Sequence, residues 1–85
     1  MSDRWWVSKT LQRSGYSRAA SECVTTGVFQ SLTAEQLKAL SHAIIYATDR
    51  PNRFSGLEHL LRWLDGRIDE RTREIIVHYA ANCVR

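Results

Sequence analysis

The sequence predicts an all-α fold, a small bundle of about four to five helices forming a single domain over residues 1–85. Three observations predict it. One Pro and four Gly in 85 residues are too few for a turn-rich β fold. Two stretches, Thr33 to Gln36 and Ser55 to Glu58, have the spacing of a helix-opening capping box. Apolar residues recur at intervals of three and four through most of the chain. A hydrophobic content of 44% places it among chains that fold rather than stay disordered.

The first element is aromatic and basic: Arg4-Trp5-Trp6-Val7, then Lys9, Leu11 and Arg13. Asp3 is placed to cap a short helix and Gly15 to end it. Neighbours on a helix point about 100° apart, so Trp5 and Trp6 cannot both face one core. The second element, within 16–29, has Ser17 as its N-cap and a small-residue face of Ala19, Ala20, Cys23 and Val24. Thr25 and Thr26 weaken it, and Gly27 reads as its stop, with Val28 and Phe29 folding back.

The third element carries the clearest start signal. Thr33 and Gln36 can bond each other's backbone N–H groups, and Leu32 and Leu37 are placed as a hydrophobic staple. Leu37, Leu40, Ile44 and Ala47 share one face, widened by Ala43 and Ile45, while Lys38, Ser41, His42 and Tyr46 fall elsewhere. Pro51 cannot continue the helix, so this central element spans about 34–49.

A loop over 50–56 follows. Then comes a helix over 56–65 with Leu57, Leu60, Leu61 and Leu64 on one face and Trp63 beside it. Asp65-Gly66 ends it. Asp69 opens the last helix, 69–84, whose apolar face is Ile75, Ile76, Tyr79, Ala80 and Cys83. Two helices are preferred over one continuous 56–83 helix, because an internal Gly costs about 1 kcal/mol and Asp69 is a fresh start signal.

Composition bounds the function. Net charge is +3, and ten of twelve basic residues are Arg, interleaved with acids. That is a solvated surface first and an anion-binding one second. The N-terminal residues lack the apolar run of a signal peptide, and nowhere do 18 apolar residues run together. The expectation is a cytoplasmic protein, without a membrane segment, holding Cys23 and Cys83 reduced and packed in the core rather than joined. A chain this short buries only about 60% of its unfolded surface. A homodimer interface would add to so small a core.

Catalytic and cofactor motifs are missing. His42, His59 and His78 fall on different elements, and neither Cys has a second within metal-ligand spacing. There is no phosphate loop and no nucleophile elbow. No enzyme, metal or cofactor is expected. Arg50, Arg53, Arg62, Arg67, Arg71 and Arg73 could line phosphates, but helix 56–65 is too apolar to read a groove, and the last helix opens with acids. Nucleic acid is therefore a secondary partner.

From Ala19 to Cys83 the order of features resembles the AriR-type family of small enterobacterial biofilm and acid-response regulators, the two-component connectors. The likeness rests on the small-residue helix ending near Thr26-Gly27, the start Leu32-Thr33-Ala34-Glu35 and the polar loop Asp49-Arg50-Pro51-Asn52-Arg53. It continues through Leu60-Leu61-Arg62-Trp63-Leu64 and the amphipathic Arg71–Ala80 segment, and residues 1–15 lie outside it. The resemblance implies a helical, dimer-forming regulator that acts by contacting other proteins, with loose DNA association. Small phage-encoded inhibitors of host proteins, anti-CRISPRs among them, share the size and the lack of motifs. On the residues themselves, the expected partner-binding surface joins Arg4, Trp5 and Trp6 with Arg53 and Phe54, because Trp and Arg exceed what one small core needs.

Overall fold

In the computed structural model of the chain, residues 2–48 and 54–83 are described. They form five helices, α1 (Asp3–Arg13), α2 (Arg18–Ser31), α3 (Ala34–Thr48), α4 (Leu57–Leu64) and α5 (Glu70–Cys83), with no strand among the described residues. The all-α expectation holds. Asp65 to Asp69 separates α4 from α5, with Gly66 at a left-handed φ of 80°. Arg50 and Pro51, expected to stop α3, lie outside the described residues, as do Asp49 and Val84 at the expected helix ends.

Helix starts follow local chemistry. Ser17 accepts from the Ala20 N–H at 3.1 Å. Thr33 and Gln36 form the reciprocal box, Gln36 N–H to Thr33 Oγ1 at 3.1 Å and Thr33 N–H to Gln36 Oε1 at 2.9 Å. Two caps differ from expectation. Ser2, not Asp3, caps α1, because its hydroxyl accepts from the Trp5 N–H and leaves Asp3 in the first turn. The Ser55–Glu58 box does not form: Gly56 occupies the cap of α4, and the Ser55 N–H donates instead to His59 Nδ1 at 3.1 Å.

The middle of the core is built by all five helices. Val7 and Leu11, Val24 and Val28, Leu40 and Ile44, Leu60 and Leu64, and Ile76 face one another there. Each such aliphatic side chain is worth about 1.5–3 kcal/mol of burial. Leu40 and Ile44 bring α3 to the centre, while the close helix pairings are α2 with α5, α1 with α2 and α1 with α3.

The second helix departs most from its expected form. It continues through Gly27 to Ser31, and its buried face is Ser21, Val24, Thr25, Gly27 and Val28. Gly27 is not a stop. It is buried beneath the Tyr79 ring, so it serves as the point where α2 and α5 close on each other. Thr25 stays helical by donating its hydroxyl to the Ser21 carbonyl at 2.7 Å. Ser41, expected off the core face of α3, is buried as well. The buried polar residues of the described chain are all Ser or Thr: Ser8, Thr10, Ser14, Ser21, Thr25, Ser41 and Thr72. The Ser14 and Thr25 hydroxyls donate to carbonyls one turn back, to Thr10 and Ser21, whereas those of Thr10, Ser21 and Ser41 are buried without a hydrogen-bond partner.

The cysteines also depart from expectation. Cys23 and Cys83 are joined in a disulfide with a Cα–Cα distance of 5.8 Å. Neither is a free thiol: Cys23 is exposed, and Cys83 is half-buried against the edge of the core. The cause is the rotation of α2. With Ser21, Val24 and Val28 turned inward, Cys23 falls at the rim and meets the last turn of α5. The expected reduced state of the two cysteines is thereby corrected, and a disulfide is the form that oxidising compartments favour. No helix among the described residues is long and apolar enough to cross a membrane.

Candidate interaction surface

Trp5 and Trp6 open α1 and diverge as helix geometry requires. Trp5 is 39% exposed, whereas Trp6 is half-buried and packs against the core. Their rings meet edge to face, with centroids 5.0 Å apart. The Lys9 ammonium lies 5.9 Å from the Trp5 ring, one turn along the helix. Arg4 crosses to α2. Its Nη2 donates to Thr26 Oγ1 at 2.9 Å, and its guanidinium sits 5.6 Å from the Phe29 ring centroid. The first turn of α1 therefore presents an exposed indole and a guanidinium held by contacts to a second helix.

Phe54 belongs to a different cluster. It is half-buried, 5.2 Å from the His59 ring and 6.3 Å from that of Trp63. Its ring contacts run to α4, and those of Trp5 and Trp6 stay within α1. Ser14 and Gly15, past the end of α1, border the same groove as Gly56 and Leu57. At about 1.5 Å per residue, Trp5 lies about 13 Å up the helix from that end. The structure thus brings Arg4, Trp5 and Trp6 together and places Phe54 in a separate aromatic cluster with His59 and Trp63. Arg53 lies outside the described residues.

One member of the second cluster has a position that sequence spacing could have given. Arg67 stacks on Trp63 with its guanidinium carbon 3.9 Å from the ring centroid, and its Nη1 donates to the Trp63 carbonyl at 2.7 Å. An Arg four residues after a Trp, just past a helix end, suits both contacts. It covers one indole face and caps a terminal carbonyl of α4.

The titratable groups are dispersed. Among the described residues no three of His, Cys, Asp and Glu lie close enough to hold a metal ion. Among the described residues Asp69 is the one carboxyl with a clear perturbation. The Thr72 hydroxyl, the Thr72 backbone N–H and the Gln36 amide hold it below the ordinary carboxylate value. Its oxygens take the Thr72 N–H at 2.7 Å and Gln36 Nε2 at 3.2 Å, so its role there is to cap α5 and tie it to α3. An exposed pair, Arg71 and Glu74, meets at 3.6 Å one turn apart. Comparison with family models, with curated proteins and with solved structures gives no match.

Proposed function

We propose that this protein is a small non-enzymatic regulator or adaptor that binds another protein through the first turn of α1. The reading accords with the AriR-type resemblance, which implies action by protein contact. One observation carries it: Trp5 is a large indole left 39% exposed while Arg4 beside it is already ordered against Thr26 and Phe29. Trp and Arg dominate binding hot spots, and a side chain fixed before binding loses less entropy on complex formation. Arg4 and Trp5 form the centre of the proposed contact, and Trp6 supports it from the core side.

The two Trp residues therefore separate in a test. Trp5→Ala should weaken capture of the partner in a pull-down from the native cell at least tenfold, with the melting temperature within about 2 °C of wild type, since isolated surface changes stay near ±0.5 kcal/mol. Trp6→Ala should lower the melting temperature clearly, because a packed aromatic is lost. Unchanged capture by Trp5→Ala would reject this surface. Nucleic-acid binding would instead show as a mobility shift that weakens steeply with salt.

A further inference from the structure

We propose that the Cys23–Cys83 disulfide is a thiol-exchange site, open to small thiols and dithiol reductants in the folded protein, and that its reduction releases the last turn of α5 from α2. The position of the bond carries this. Cys23 is exposed on the rim of α2, and Cys83 is half-buried at the end of α5. Cys83 also forms one wall of an open groove with Gly15, Ser17, Ala20, Gly56 and Leu57. Six of the eight residues that line the groove with Cys83 carry a small side chain or none, Tyr16 and Leu57 being the two large ones.

The same position limits what the bond holds. The fully buried residues of α5 are Thr72, Ile75, Ile76 and Ala80, and Cys83 adds a half-buried contact at the edge of the core. Tyr79 is fixed separately, over Gly27 and through a 2.8 Å hydrogen bond to Ser31. Beyond Ala80, Ala81 and Asn82 are exposed, and Cys83 is the residue that ties this turn back to α2. Breaking the bond frees residues 81–83 and one wall of the groove while the buried face of α5 stays in place.

The exchange balances as follows. A reagent thiolate attacks the more exposed Cys23 Sγ, and its electron pair forms the new S–S bond. The Cys23–Cys83 bond breaks with its pair on Cys83 Sγ, which takes a proton from water. The second thiolate of a dithiol then attacks its own bonded sulfur and expels the Cys23 thiolate. The protein gains two electrons, and the reagent leaves as its disulfide.

The test uses the full chain with dithiothreitol as the probe, at neutral pH, with and without denaturant. Iodoacetamide trapping and mass spectrometry count the free thiols, and far-UV circular dichroism follows the helices. The expected result is reduction of the folded chain within about tenfold of the rate in denaturant, with helicity kept. Hydrogen exchange at residues 81–83 should then quicken at least tenfold, with the core amides of α1 and α2 still protected. The Cys23→Ser/Cys83→Ser variant should show the same local pattern. Reduction more than a hundredfold slower in the folded chain, loss of helicity on reduction, or unchanged exchange at 81–83 would each overturn the proposal.

Discussion

Gly27 shows what a single residue decides here and why its role was hidden. A Gly followed by Val28 and Phe29 has the local form of a helix stop, and sequence alone reads it so. Its actual neighbour is the Tyr79 ring on α5, which local spacing cannot announce. Two effects compete in Gly27→Ala. A helical Ala gains about 1 kcal/mol over Gly. Overpacking a filled site costs about 1–3 kcal/mol, and a Cβ here would run into the ring carbons nearest the Tyr79 backbone. The clash should win, and thermal unfolding of Gly27→Ala should move down by several degrees. In a Tyr79→Ala background the same change should be neutral or stabilising. A stabilised Gly27→Ala with Tyr79 intact would show that the two helices can part at no cost. The hydroxyl residues were hidden for a related reason. Ser21, Thr25 and Ser41 count as polar in any apolar pattern, yet they line the inside of the bundle.

At the scale of the element, helix starts were legible where one residue's side chain and one backbone N–H suffice. Ser17, Thr33 with Gln36, and Asp69 act as read. The Ser55–Glu58 box failed because a ring nitrogen four residues on competes for the same N–H. The face of α4 was legible because its buried residues are all Leu, and that of α5 at Ile75, Ile76 and Ala80, whereas buried Thr72 stood outside the expected face. Asp69 gives an element-scale prediction. Its folded carboxyl lies below the ordinary carboxylate value because the Thr72 hydroxyl, the Thr72 N–H and Gln36 favour the anion. The unfolded chain therefore binds the proton more readily, so Asp69 contributes stability above its unfolded pKa of about 3.9. That contribution is lost as pH falls through the lower folded value. Asp69→Asn keeps a capping side chain but removes the titration. Urea unfolding at pH 7, 4 and 3 should show a shallower acid decline in the variant than in wild type. Equal declines would mean that other carboxyls set the acid limb.

The whole molecule raises a question that length alone poses. A domain of 85 residues has a thin apolar core, and a dimer interface was one expected remedy. The disulfide meets the same need within one chain, joining residues 60 apart in sequence across the close α2–α5 pairing. It was illegible because a pairing across most of the chain leaves no local trace, and because Cys23 was assigned to an inward face that Ser21, Val24 and Thr25 in fact occupy. The candidate surface was legible in part for the converse reason. Arg4, Trp5 and Trp6 are adjacent in sequence and remain together in space, whereas Phe54 needed a tertiary contact that pattern could not supply. Closing a loop of this length is worth about 4 kcal/mol in the chain-entropy account, against a total stability of about 5–15 kcal/mol for a domain. The crosslink is then a large fraction of the total but not all of it. Cys23→Ser/Cys83→Ser should still be helical at 25 °C, and its melting temperature should fall by about 15–30 °C, at about 4–8 °C per kcal/mol for a domain this small. Scans at several protein concentrations divide the two remedies. A variant whose melting temperature falls by that amount and does not move with concentration makes the crosslink the staple of a monomer. A fall of only a few degrees, with a melting temperature that rises with concentration, would put the missing stability in an interface between copies.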